Sequence, residues 1–226
     1  MTDNTPSAEQ QQQRSWIANA GAWTTAVREG QIASRRLGTD AAIIEACAVT
    51  PGTTVLDVGC GEGWLARALD ARGAVVTGVD GSAPLIDAAR ALGGAQFHVA
   101  DYQLLATSAR HAGPFDLIVC NFALLDEVLT PLLVGLRDRL ALHGRVVVQT
   151  VHPFAAAGEP GYVDGWREER FVGFGDGFES AMPWYYRTFA AWHRAFADAG
   201  LVVRRLEEPR RADGTVLSLI MQLTRG

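Results

Sequence analysis

Val55-Leu56-Asp57-Val58-Gly59-Cys60-Gly61-Glu62-Gly63 narrows the folds open to this chain more than any other stretch. An apolar run ends in an acidic residue, three glycines follow at alternating positions, and Trp64 to Leu69 begins with helical spacing. That is a strand, a tight turn and a helix start, the layout of a nucleotide site at the carboxyl end of a parallel strand. Glycine suits such a turn because it reaches φ > 0 and leaves backbone N–H groups open to a ligand. The spacing is GxGxG, with Trp64 directly after Gly63, so the later glycine of a dinucleotide fingerprint is missing. A P-loop is excluded as well: no Gly-Lys-Ser/Thr follows, and all 20 lysine-plus-arginine positions are arginine.

Three more strands end in polar or aromatic residues. Ala74 to Asp80 is a buried strand closing on a carboxylate about twenty residues past the glycine loop, where such sites place an acid on a ribose diol. Ala95–Ala100 ends at Asp101-Tyr102, and Pro114–Cys120 ends at Asn121-Phe122-Ala123. Any one of these ends could be strand punctuation. Four in this order are hard to explain that way.

With these four ends in place, the chain closely resembles the class I S-adenosylmethionine-dependent methyltransferases of small-molecule type. The motifs span Thr53 to Val151, and the order of elements extends the likeness to the C-terminus. The resemblance implies an α/β fold, a doubly wound, seven-stranded, mostly parallel sheet ending in an antiparallel hairpin. It also implies S-adenosylmethionine as cofactor and S-adenosylhomocysteine as product, with no metal. The loop at Asp57, Gly59, Cys60, Gly61 and Gly63 would cradle the methionine part. Asp80, with Gly81 and Ser82 after it, would hold the ribose, Asp101-Tyr102 would recognise adenine, and Asn121-Phe122 would lie beside the transferred methyl. Two other functions stay open: a non-catalytic protein that binds the same cofactor, and a nucleotide-dependent oxidoreductase, against which the missing glycine argues.

The net charge of −5 speaks against a nucleic-acid groove, where basic patches dominate. No run approaches the length of a transmembrane helix, and the N-terminus lacks the apolar core of a signal peptide, so a cytoplasmic monomer or homodimer is expected. Cys47, Cys60 and Cys120 have no metal-like spacing, and Cys60 and Cys120 read as small core residues rather than nucleophiles. No His-x-x-x-His or His-Glu-x-x-His pattern supports a zinc mechanism. Absence of lysine removes Schiff-base chemistry.

Along the chain, residues 1–13 are polar and expected to be frayed, and 14–151 form N-terminal helices plus the cofactor-binding core. Trp16, Asn19 and Trp23 recur at helical spacing and either close over the site or pack on the sheet. Asp40 is expected to cap a helix over Ala41–Ala48. Helices are expected at Trp64–Arg72, Ala83–Leu92 and Leu129–Leu142, with a fifth strand at Arg145–Thr150. Residues 152–187 are rich in glycine and aromatics and leave the sheet at its ligand edge, which suggests an irregular lid that binds the acceptor. Residues 188–226 complete the sheet: Thr188 caps a helix over Phe189–Ala199, and Leu201–Glu207 and Thr215–Leu223 form a hairpin turned at Asp213-Gly214.

Methyl transfer from a sulfonium is an in-line displacement that needs alignment, exclusion of water and sometimes a base. Arg35 or Arg36 is a candidate partner for the cofactor carboxylate, Arg36 being the preferred assignment. His152 follows the fifth strand at the ligand edge and is the candidate base, with loop orientation as its other reading. Trp184, Tyr186 and Arg187 are candidate acceptor contacts, and Arg187 or Arg167 would anchor an acceptor carboxylate.

Overall fold

Strands that are apolar at nearly every position need cover on both faces, and helices alternating with them supply it. The computed structural model describes residues 6–108 and 113–226. In it β1 (Thr54–Val58), β2 (Val75–Asp80), β3 (Gln96–Val99), β4 (Phe115–Asn121) and β5 (Leu140–Thr150) pair in parallel. β6 (Gly165–Glu169) and β7 (Met182–Tyr186) pair separately as an antiparallel ribbon. β8 (Leu201–Glu207) and β9 (Leu219–Arg225) complete the main sheet, whose order is β3-β2-β1-β4-β5-β9-β8. β9 is antiparallel to both β5 and β8, so the expected seven-stranded, mostly parallel architecture is present.

Successive residues of the central strands point to opposite faces. Val55, Leu117, Val119 and Val147 meet α3 (Asp40–Cys47), α4 (Trp64–Asp70) and α5 (Ala83–Leu92) through Ile43, Leu65, Leu69 and Ile86. Leu56, Ile118, Cys120 and Val148 meet α7 (Thr130–Asp138) and α8 (Phe189–Asp198) through Leu133, Leu136, Trp192 and Phe196. Each fully buried Leu, Ile or Val of these layers contributes roughly 1.5–3 kcal/mol by leaving water. The chain runs outward from β1 to β3, then returns to place β4 on the other side of β1. The crevice above that reversal, at the carboxyl ends of β1, β2 and β4, is where an open α/β sheet binds ligands.

Several boundaries differ from expectation, each for a local reason. Residues 8–13 are not frayed: they belong to α1 (Ala8–Ala18), started by a reciprocal cap between Ser7 and Gln10. Gln12 is buried and donates to the Pro183 carbonyl at 3.1 Å. The frayed terminus expected at residues 1–5 lies outside the described residues. α2 (Ala20–Arg28) follows after Asn19. Asp40 is not a cap but the first residue of α3, ion-paired to Arg35 at 3.0 Å after a π-helical turn, Arg35–Thr39, in which Gly38 has φ 146°. The helix expected to reach Leu142 ends at Asp138, because Leu140 pairs with Phe115 and already belongs to β5. The C-terminal hairpin has the expected tip, with Gly214 at φ 87°, but its second strand starts at Leu219. Thr188 caps α8 as expected, its hydroxyl accepting from Ala191 N–H at 3.2 Å.

The segment 152–187 is less irregular than its composition suggests, since β6 and β7 give it a ribbon. Aromatic contacts hold the rest, among them stacked pairs Phe154–Tyr162 (4.3 Å) and Phe171–Phe178 (4.4 Å). Asn19, fully buried, fastens this lid to the N-terminal helices: its amide donates to Ser180 O at 2.6 Å and accepts from Glu179 N–H at 2.8 Å.

Candidate functional site

A cavity of about 630 Å³ opens above the carboxyl ends of β1, β2 and β4. Its floor is Asp57, Gly59, Cys60, Gly61, Asp80, Gly81, Ser82, Asp101, Tyr102, Asn121 and Phe122. All four strand ends singled out in the sequence therefore face one space. Its roof comes from α1 and α2, through Trp16 and Trp23, and from the lid, through Phe171, Phe174, Trp184 and Tyr185.

The glycine turn is shaped by what it avoids. Gly59 lies at φ 70°, and a Cβ there would come within 2.5 Å of the Ala123 Cβ. Gly61, at φ 56°, has room, with the Trp23 indole nitrogen 3.5 Å from a hypothetical Cβ; conformation and not space excludes other residues. Gly63 does not reach the cavity. It is the left-handed start of α4 and lies flat under Phe97, 2.7 Å from where its Cβ would be. Glu62, almost wholly buried, ties the turn to its neighbours by ion pairs to Arg28 (2.8 Å) and Arg67 (2.7 Å).

Asp80 reaches back across the turn. One oxygen accepts from Gly61 N–H at 2.9 Å and the other from Ser82 N–H at 2.8 Å. Burial still raises its carboxyl above the ordinary range, against the pull of those two N–H groups. Asp57 lies deeper, 1% exposed; burial, with the Asp80 charge adding to it, pushes its carboxyl up to about 7. One Asp57 oxygen and the Asn121 carbonyl oxygen are buried without a hydrogen-bond partner. Buried polar atoms nearly always have partners, so these two mark places where a ligand donor fits. Asp101 caps α6 (Tyr102–Thr107) by accepting from Leu104 N–H at 2.7 Å, and the Tyr102 hydroxyl donates to the Ala123 carbonyl. Phe122 holds a left-handed backbone, φ 52°, rare for an aromatic residue and found where β4 ends against the cavity.

Besides Gly63, four expected site residues, His152, Tyr186, Arg36 and Arg167, lie elsewhere. His152 does not line the cavity: it is buried beside Phe154 and Phe189, and its ring nitrogen bonds Glu208 at 3.0 Å. The chain turns away from the ligand edge after Val151, so its place after β5 misleads. Tyr186 is fully buried under the lid, donating to the Pro153 carbonyl at 2.6 Å. Arg36 packs beside Gly30, whereas Arg35 lines the cavity, its guanidinium 4.3 Å from the Trp64 ring centroid. Arg187 lines the cavity as expected, but its guanidinium donates to the carbonyls of Asp126 and Glu127. Burial lowers it to about 10, with Tyr185 and Asp126 opposing that shift. Arg167 holds the lid loop instead, donating to Glu159 O at 2.9 Å and Gly161 O at 2.7 Å. Trp184 does face the cavity.

The sequence reading missed Asp126 and Glu9, both on the cavity wall. Asp126 follows the β4 end within a short loop, the only available signal; burial and then the Glu9 charge push it up to about 6. Among the described residues, no group of three or more His, Cys, Asp or Glu is placed to hold a metal ion, and no helix is long and apolar enough to cross a membrane.

Residues 55–142 match the family model described as a methyltransferase domain. The chain is similar to the ubiquinone biosynthesis O-methyltransferase of Xylella fastidiosa, 37% identical over 111 residues that cover 47% of this chain and 45% of that protein. It is 42% identical over 85 residues to the enzyme of the same name in Coxiella burnetii, covering 35% of each. The chain thus spans less than half the length of these curated relatives. Among solved structures, an S-adenosylmethionine-dependent methyltransferase from Mesorhizobium loti superposes with a TM-score of 0.64 at 23% identity, over 81% of this chain and 96% of that one. The magnesium protoporphyrin IX methyltransferase of Synechocystis with bound S-adenosylhomocysteine gives 0.64 at 19% identity, over 94% and 97%. At these identities the likeness to the solved structures is one of fold.

Proposed function

We propose that the chain is a class I S-adenosylmethionine-dependent methyltransferase that transfers a methyl group to a small-molecule acceptor. The observation that carries this reading is the meeting of four strand ends in one roofed cavity, with buried oxygens of Asp57 and Asn121 left without partners there.

The residues present fit the cofactor. Gly59 and Gly61 leave bare backbone where a Cβ would intrude or strain the turn. Asp57 offers a free oxygen to an ammonium or other donor, and Asp80 retains lone pairs for a ribose diol beyond the two it gives to backbone N–H groups. Asp101 and Tyr102 would frame the adenine, and Asn121 and Phe122 the methionine end. When bound, S-adenosylmethionine supplies an activated methyl on a sulfonium, open to in-line displacement. The chain's own part is to orient and to exclude water: Trp16, Trp23, Phe171 and Trp184 roof the cavity, and aromatic faces and carboxylates suit a cationic centre better than arginines would. His152 drops out as the base. Asp126, on the cavity wall and pushed up to about 6, is a group able to accept a proton near neutral pH and lies outside the cofactor floor that holds Asp57.

The same reading takes the acceptor to be a small molecule and not a nucleic acid, and the protein to work in the cytoplasm as a monomer or homodimer. Its test is transfer of labelled methyl from S-adenosylmethionine across a panel of small molecules. Time-dependent labelling that S-adenosylhomocysteine inhibits is expected; donor binding with no transfer to any member of a broad panel would favour a non-catalytic binding protein.

A further inference from the structure

Beneath the lid, the cavity wall combines acids and aromatic rings, and neither of its two arginines is free. Glu9, which is exposed, and Asp126, which is half-buried, line the space, and neither carboxylate has a hydrogen-bond or ion-pair partner among the described residues. The two are close enough that the Glu9 charge helps raise the Asp126 carboxyl. Arg187 is committed to the carbonyls of Asp126 and Glu127 and lies 4.9 Å and 5.1 Å from the ring centroids of Tyr185 and Trp192. Arg35 is committed to Asp40 and to the Trp64 ring. An anionic acceptor would therefore meet these carboxylates and no uncommitted arginine, and a neutral one would leave the half-buried Asp126 carboxylate with no hydrogen-bond donor and only the nearby Arg187 charge to offset it.

Resting on the methyltransferase reading, we infer that the acceptor is an organic amine that enters as its ammonium cation, held by Asp126 and Glu9 with its apolar body against Trp16, Phe171 and Trp184. An ammonium donates up to three hydrogen bonds to carboxylates, and ring faces attract its charge. The ammonium is a recognition handle: while protonated it has no lone pair, so the methyl goes to another atom of the acceptor.

The test uses three probes of nearly one shape and different charge: 2-phenylethylamine, 2-phenylethanol and phenylacetate. Each is titrated by calorimetry into protein saturated with S-adenosylhomocysteine. The amine should bind at least about tenfold tighter than the alcohol, with phenylacetate weakest. Asp126→Asn keeps the side-chain shape and should bring the amine within about threefold of the alcohol, and Glu9→Gln should act in the same direction less strongly. Both variants should still take up S-adenosylhomocysteine, which shows them folded. Equal binding of amine and alcohol, a lead for phenylacetate, no binding of the amine, or a preference untouched by Asp126→Asn would each overturn the inference. Failure of the unmodified protein to bind S-adenosylhomocysteine is a separate readout and would instead remove the methyltransferase reading beneath it.

Discussion

Asp57→Asn separates stability from binding at the bottom of the cavity. The carboxyl is 1% exposed, one oxygen has no partner, and burial together with the Asp80 charge pushes it to about 7 from an ordinary 3.8. The folded protein therefore holds this proton more tightly than the unfolded chain does. Stability linked to it is complete below pH 3.8 and is lost as pH rises through about 7. With about 1.4 kcal/mol per tenfold change in proton affinity, the full loss, reached above neutrality, is on the order of 4 kcal/mol. Asparagine keeps the shape and cannot ionise, so it escapes that cost. In urea unfolding, the advantage of Asp57→Asn over the parent should widen by about 1.5–3 kcal/mol between pH 5 and pH 8. The same variant should bind S-adenosylhomocysteine more weakly, since it exchanges an acceptor for an amide. A gap that does not change with pH, or a variant less stable than the parent at pH 8, would refute the reasoning.

Three further perturbations probe the division of the chain. His152→Ala should change turnover of any identified acceptor less than about tenfold, far below the 10²–10⁴-fold expected of a base, while melting earlier by the loss of the Glu208 bond. Gly59→Ala should abolish cofactor binding or unfold the turn, because its Cβ would lie 2.5 Å from the Ala123 Cβ; near-normal titration would mean that β1 and β4 ends can part freely. Trp184→Ala should leave S-adenosylhomocysteine affinity within about tenfold and lower acceptor turnover more, as read by separate titration and rate measurements.

The parts of the fold that follow from periodicity were legible. Strand runs such as Phe115–Asn121 and the helix Ala83–Leu92 are local in origin, and their ends fix the cavity floor. What escaped depends on contacts distant in sequence. The glutamine-rich start of α1 looks soluble by itself, and its place is set by bonds from Gln12 and Ser15 to the lid some 170 residues on. Arg35 and Arg36 are indistinguishable in sequence, and the π-helical turn with Gly38 decides which one faces the cavity. His152 was misplaced because proximity to a strand end along the chain does not say which way the next residues turn. Asp126 and Glu9 carry no motif at all; only the closure of α1 over the β4 loop brings them to one wall.

Titration of the purified protein with S-adenosylhomocysteine, beside an Asp80→Ala variant, tests the assignment of the cavity most directly. The intact protein should give a saturable one-to-one isotherm. Asp80→Ala loses both its bonds to Gly61 and Ser82 and its offer to the ribose, and should bind more weakly by about 1.5–3 kcal/mol while remaining folded. A folded protein that takes up no S-adenosylhomocysteine, or one whose affinity is indifferent to Asp80→Ala, would contradict the placement of the cofactor at these four strand ends.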